Sequence, residues 1–167
     1  MTRKSLADVN CSWAQAAEAV GDKWSTMILR DAFFGVRTFT AFEKSIGISK
    51  NILTQRLQHL QDHGILDKIP VGVGTTRTEY RLTDKGRGLL PVMIAMAQWS
   101  DQWVFGADKA PFRYVDRETN SDVKPLKVIT ESGREVELDD LTILDGPGAN
   151  DANRLAVAAI QKAEGKH

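Results

Sequence analysis

The reading turns on Thr40 to Thr83: Thr40-Ala-Phe-Glu-Lys-Ser-Ile-Gly-Ile-Ser49, then Lys50-Asn-Ile-Leu-Thr-Gln-Arg-Leu-Gln-His-Leu-Gln-Asp-His-Gly64, then a return through Tyr80-Arg-Leu-Thr83. A short helix, a tight turn at Gly47 and Ile48, and a second helix opened by Ser49 and stopped by Gly64 are written into the first two segments. A β-hairpin with a glycine-rich tip follows. This is the element order of a winged helix-turn-helix.

On a helical wheel at about 100° per residue, Leu53, Leu57 and Leu60 cluster on one side of the fourth helix, with Ile52 flanking. Asn51, Gln55, Gln58 and Asp62 lie opposite, with Thr54 at the side. A helix facing only solvent usually carries Glu and Lys there. Amide side chains donate and accept together, and Asn or Gln can pair bidentately with adenine. Lys50 and Arg56 flank them and suit phosphate oxygens, and Arg77 leads a wing at Gly72-Val-Gly-Thr-Thr-Arg77. The expected DNA-binding residues are therefore Lys50, Asn51, Thr54, Gln55, Arg56, Gln58 and Arg77, and the expected partner is double-stranded DNA. The plain alternative for the helix is a solvated polar face, and for the wing an ordinary hairpin loop.

Outward from that stretch, Ser12 is expected to cap a helix ending at Gly21, with Trp13, Ala16, Ala17 and Val20 on one side. Asp22 caps a second helix, Lys23 to about Phe34, apolar on much of its circumference. Thr40-x-x-Glu43 reads as a capping box for the third helix, with Phe39 as its staple residue. Strands are expected over Ile65 to Val73 and Arg77 to Leu82, with Thr78, Tyr80 and Leu82 on one face. Thr83 opens a long last helix reaching about Val104, kinked by Pro91. Beyond Gly106 short strands are expected at Phe112 to Val115, Lys124 to Thr130 and Glu135 to Leu138, the last two joined at Glu131-Ser-Gly-Arg134. Asp151 to Glu164 is alanine-rich and helix-permissive. The fold class is α+β: a winged helix-turn-helix with a long C-terminal dimerisation helix and a small mostly β C-terminal extension. The expected divisions are a flexible N-terminus over 1–10, the DNA-binding and dimerisation domain over 11–106, the β-rich extension over 107–149, and a helical or disordered tail over 150–167.

The whole chain has 167 residues and zero net charge, so it is not a generically sticky basic protein. The distribution matters more: Arg37 to Gly88 holds 9 Lys/Arg against 5 Asp/Glu, a balance of +4 on the helix-turn-helix segment. No apolar run approaches the ~20 residues of a membrane span, and the N-terminus lacks a signal-peptide core. A cytoplasmic protein without a membrane partner is expected. With one cysteine, Cys11, no intrachain disulfide can form. His59 and His63 stand at i, i+4 without a third ligand, and no phosphate loop or Gly-x-Ser-x-Gly is present. Neither enzyme activity, metal nor cofactor is expected. The competing class is a winged-helix module that binds protein instead of DNA.

Cys11 followed by a short helix, Gly21-Asp-Lys-Trp24, Ile28-Leu-Arg-Asp31, Phe39-x-x-Phe42, Ile48-Ser49, Leu53-Thr-x-Arg-Leu57, His63-Gly-Ile-Leu66 and Tyr80-Arg-Leu-Thr83 with Lys85-Gly86 make a specific set. Through them the chain resembles, from Cys11 to Trp103, the HxlR-type family of bacterial winged-helix regulators, relatives of the MarR group. Ser12 stands where a proline is common. The tail resembles the extension of longer members without its extra cysteines, so zinc is not expected. The resemblance implies a homodimeric repressor or activator on a short inverted repeat, paired through the N-terminal and last helices. Trp13, Leu90, Met93, Met96, Trp99 and Trp103 are the expected dimerisation residues, and the last helix carries more apolar surface than a small winged domain can bury. In some members the cysteine at Cys11 senses electrophiles or oxidants. A site ahead of a helix N-terminus suits that, while a small buried apolar residue is the plain reading. A small-molecule effector is left open, in an apolar pocket framed by Trp13, Trp24, Trp99 and Trp103.

Overall fold

The computed structural model describes residues 5–72 and 76–164. It divides into two compact units, Asp22–Leu126 and the described residues of Met1–Gly21 with Lys127–His167.

Within Asp22–Leu126 the order is α2 (Lys23–Phe33), α3 (Phe39–Ile46), α4 (Lys50–Asp62), β1 (Leu66–Pro70), β2 (Thr78–Leu82), α5 (Asp84–Arg87) and α6 (Leu90–Ser100); α1 (Ser12–Val20) and α7 (Asp151–Glu164) belong to the other unit. The Asp22 carboxylate accepts from the Trp24 and Ser25 amides and fixes the start of α2. One side of that helix, with Ile28, Leu29 and Ala32, is fully buried. It packs against α3, α4 and β2. Phe42 of α3, fully buried, meets Tyr80 edge-on at 6.2 Å.

β1 and β2 form a two-stranded antiparallel sheet, with Leu66 opposite Leu82 and Lys68 opposite Tyr80. Tyr80 and Leu82 are buried and Arg81 is exposed, as the alternation in the sequence requires. Val71 donates to the Arg77 carbonyl (2.9 Å) beyond the last strand pair. The expected strands were each longer, Ile65 to Val73 and Arg77 to Leu82. Val73, Gly74 and Thr75 of the expected wing tip lie outside the described residues.

Two expected helix starts shift, and the last helix, which starts at Thr83 as expected, divides. α1 is capped by Cys11, not Ser12, and without a side-chain hydrogen bond. α3 is capped by Thr38, whose hydroxyl accepts from the Ala41 amide, so the box at Thr40 does not form. The reason is tertiary: the Arg37 carbonyl accepts from the Tyr80 amide at 2.7 Å, which ties the chain to β2 one residue before Thr38, itself extended at φ −109° and ψ 150°, and the helix begins at Phe39. The single long last helix is instead two, because Gly88 and Leu89 end α5 and Pro91, which has no N–H to donate, takes the second position of α6. After Ser100 the backbone widens into a π-type turn, Asp101–Phe105, closed by Gly106 at φ 88°.

The expected strands beyond Gly106 reduce to two isolated bridges among the described residues, Val115 to Asp122 and Ile129 to Glu135. A helix side chain takes the backbone groups a ladder would use: the Gln98 amide donates to the Lys124 carbonyl (3.0 Å) and its oxygen accepts from the Leu126 amide (2.9 Å). The loop between Tyr114 and Val123 turns on Asp116, whose carboxyl the Thr119 hydroxyl and amide hold below the usual range. In the other unit the turn at Glu131-Ser-Gly-Arg134 does form, with Thr130 and Arg134 exchanging hydrogen bonds. Residues 5–10, within the segment expected to be flexible, lie along α1, the Gln15 amide donating to the carbonyls of Leu6, Ala7 and Val9.

Candidate nucleic-acid interface

α4 is built as a two-faced helix. Ser49 accepts from the Ile52 amide at 3.4 Å, Gly47 turns the chain into it at φ 72°, and Gly64 takes it out at φ 65°. Leu53, Leu57 and Leu60 are 0–1 % exposed and face the core. Lys50, Asn51, Thr54, Gln55 and Gln58 are all exposed on the other side. Burial of three leucines thus fixes the rotation of the helix, and that rotation turns the amide side chains outward. The Gln58 amide donates to Asp62 at 2.8 Å, one turn on, which orients it along the helix surface.

Arg56 is placed differently from its flanking neighbour Lys50. Its Nε stands 3.4 Å from Asp22 Oδ1, and the side chain is 31 % exposed. Asp22 caps α2 and faces this guanidinium at once, so one carboxylate ties the start of α2 to the middle of α4. The sequence marked Asp22 as a cap; its second role needed the spatial neighbour. Arg77 is exposed at the turn end of the hairpin, one residue before β2. Lys68 of β1 stands 5.8 Å from the Tyr80 ring centroid.

α6 is apolar around its circumference, yet none of its residues is fully buried. Leu90, Met96, Trp99 and, beyond the helix end, Trp103 are exposed, Trp103 by 69 %, while Met93 is half-buried. In the other unit Trp13 on α1 is 88 % exposed. Cys11 is a free thiol at the N-cap of α1, and it is exposed, not the buried apolar residue of the plain reading.

The model of the HxlR-like helix-turn-helix family matches residues 19–107. The chain belongs to this family. The HxlR-like match spans every element from α2 to α6. Among relatives, the uncharacterized HTH-type transcriptional regulator Rv3095 of Mycobacterium tuberculosis is 34 % identical over 137 residues, covering 82 % of this chain and 87 % of that one. Among solved structures, PA1607, described as a candidate transcription factor, is 37 % identical with a TM-score of 0.80, covering 86 % of this chain and all of that one. The candidate transcription factor PA1374 from Pseudomonas aeruginosa is 32 % identical with a TM-score of 0.62, over 87 % of this chain and 99 % of its own. HypR, described as a redox regulator and solved in its oxidized form, is 26 % identical with a TM-score of 0.51, over 55 % of this chain and 95 % of its own. This HxlR-like protein is a transcriptional regulator with a helix-turn-helix domain, and its family and relatives are regulators, not enzymes. No helix among its described residues is long and apolar enough to cross a membrane.

Proposed function

We propose that the protein reads an inverted-repeat operator in double-stranded DNA as a homodimer, with α4 in the major groove and Arg77 at the adjoining backbone or minor groove. One observation carries this: the exposed Asn51, Thr54, Gln55 and Gln58 lie opposite leucines that cannot turn outward. Lys50, exposed at the first turn of α4, places a cation and the positive end of the helix where phosphate approaches. Arg56 acts through its pair with Asp22, positioning the helix as well as facing phosphate. The two-fold partner is supported by the uncovered apolar surface of α6, since a reader of repeated half-sites needs a symmetric interface.

Gel shifts against salt test the reading. Gln55→Ala is expected to flatten the preference between operator and altered bases by about 5- to 150-fold, the worth of one bidentate base contact. Lys50→Ala is expected to weaken all sequences alike and to lower the salt slope by about 1. A protein that holds no duplex better than random sequence at any salt would be a protein-binding module instead.

Modulation through Cys11 is the second part of the proposal. It rests on the exposed thiol at a helix N-cap and on the likeness to a redox regulator. Diamide or a quinone is expected to change operator affinity of the wild type and to leave Cys11→Ser unaffected. Equal responses of the two proteins remove Cys11 from the mechanism.

A further inference from the structure

The unit Asp22–Leu126 contains a cavity of about 400 Å³ that reading the DNA does not use. α2 supplies one wall with Met27, Arg30 and Phe33, away from its fully buried Ile28, Leu29 and Ala32. α6 supplies the other with Met93 and Ala97, and Phe105, Phe112 and Tyr114 close the end. The pocket expected from the sequence was framed by tryptophans; none of the four lines this one, whose walls are phenylalanine, tyrosine and methionine.

Its charges are what select an occupant. The Arg30 guanidinium is already engaged, donating through Nε and Nη2 to Asp31 Oδ1 at 2.8 and 2.6 Å. Asp101, on the rim at the first residue of the π-type turn, is half-buried and belongs to none of the ion pairs among the described residues. The Tyr114 ring stacks on Phe34 at 6.0 Å between centroids. Burial first, then the Asp101 charge, pushes the Tyr114 hydroxyl up against the opposing influence of Arg30, so the phenol stays neutral and all three groups share one rim. With Arg30 neutralised by Asp31, the rim presents one uncompensated carboxylate beside several aromatic faces.

We propose that this cavity binds an aromatic organic cation, its rings between α2 and α6 and its positive charge against Asp101 and the ring faces. The volume suits one small ligand, methionine walls adapt to flat rings, and a cation gains from both the carboxylate and the π faces. An anion would meet Asp101 with Arg30 already occupied. Any effect of such a ligand on operator affinity, transmitted because α2 also packs on α4, rests on the DNA-binding reading; the binding itself does not.

The test therefore uses full-length, DNA-free protein. Calorimetry compares 2-naphthylmethyltrimethylammonium with uncharged 2-naphthylmethanol and anionic 2-naphthoate, which share one ring system. The cation is expected to saturate at one per chain, at least tenfold tighter than the alcohol, with the naphthoate weaker still. Asp101→Asn is expected to bring cation and alcohol to within about twofold while keeping the alcohol's affinity. Ala97→Trp, filling the cavity, is expected to abolish both, with the circular dichroism spectrum retained. The proposal is overturned if the three probes bind alike or not at all, or if Asp101→Asn keeps the preference for the cation. It is also overturned if Ala97→Trp alters sedimentation without altering binding, which would make the wall a seat for a second copy of the chain.

Discussion

Leu57→Ala is expected to lower the unfolding free energy of the winged unit by about 2–5 kcal/mol, as large-to-small changes in closed cores do. Leu57 is 1 % exposed and stands between Leu53 and Leu60, both at 0 %, on the face that α4 turns to the core. These neighbours belong to the same helix face, so they cannot close over the missing atoms without rotating the helix that carries them. The variant therefore does two things at once. It removes buried apolar contact, and it loosens the element that aims Asn51 and Gln55. Gln55→Ala, on the exposed side of the same helix, is expected to stay within about 0.5 kcal/mol of wild-type stability while losing base preference. Urea unfolding followed by circular dichroism, at one fixed protein concentration because association would shift the midpoint, separates the two. A loss below about 1 kcal/mol for Leu57→Ala would show that the leucine side is not sealed and that the orientation of the amides needs another cause.

That one helix carries both outcomes explains why its buried and exposed faces were legible in the sequence. The period of the leucines, the cap at Ser49 and the stop at Gly64 are all local, and each acts through residues within one or two turns. The features that escaped the sequence are decided by distant partners. Thr38 wins over Thr40 as the cap of α3 because Tyr80, far along the chain, holds the Arg37 carbonyl next to it. Asp22 was legible as a cap, whereas its pair with Arg56 joins residues 34 positions apart. The strand expected from Lys124 is claimed by the Gln98 side chain, a competitor that no periodicity in the tail reveals. The break before α6 was half legible: Pro91 announced a defect, and its favoured place in a helix's first turn, together with Gly88, turns a kink into two helices.

Gly86→Ala is the other change expected to be severe, and it concerns a residue whose type the sequence displayed without giving a reason. Gly86 is buried in α5, and its amide donates to the Thr83 hydroxyl at 3.0 Å, completing the cap of that helix. A Cβ added there would collide with the Ile65 backbone carbonyl and stand 3.0 Å from Leu82 Cδ2. The carbonyl cannot yield, because it accepts from both the Thr83 amide (3.1 Å) and the Thr83 hydroxyl (3.3 Å) at the mouth of the hairpin. Relief must come from shifting α5 away from the sheet, which breaks the cap and uncovers Leu82. Overpacking costs about 1–3 kcal/mol and occasionally more, and a collision with fixed backbone belongs at the upper end. Gly88, two residues on, has helical backbone angles of φ −59° and ψ −16°, and its added Cβ would come no nearer than 3.3 Å to a backbone oxygen. Gly88→Ala is therefore expected to cost at least about 2 kcal/mol less than Gly86→Ala, since a compatible Gly→Ala change also gains from the narrower unfolded ensemble. Matching urea midpoints for the two variants would mean that α5 is free to move off the strand ends, and that the wing is not anchored by the packing of Gly86 against Ile65.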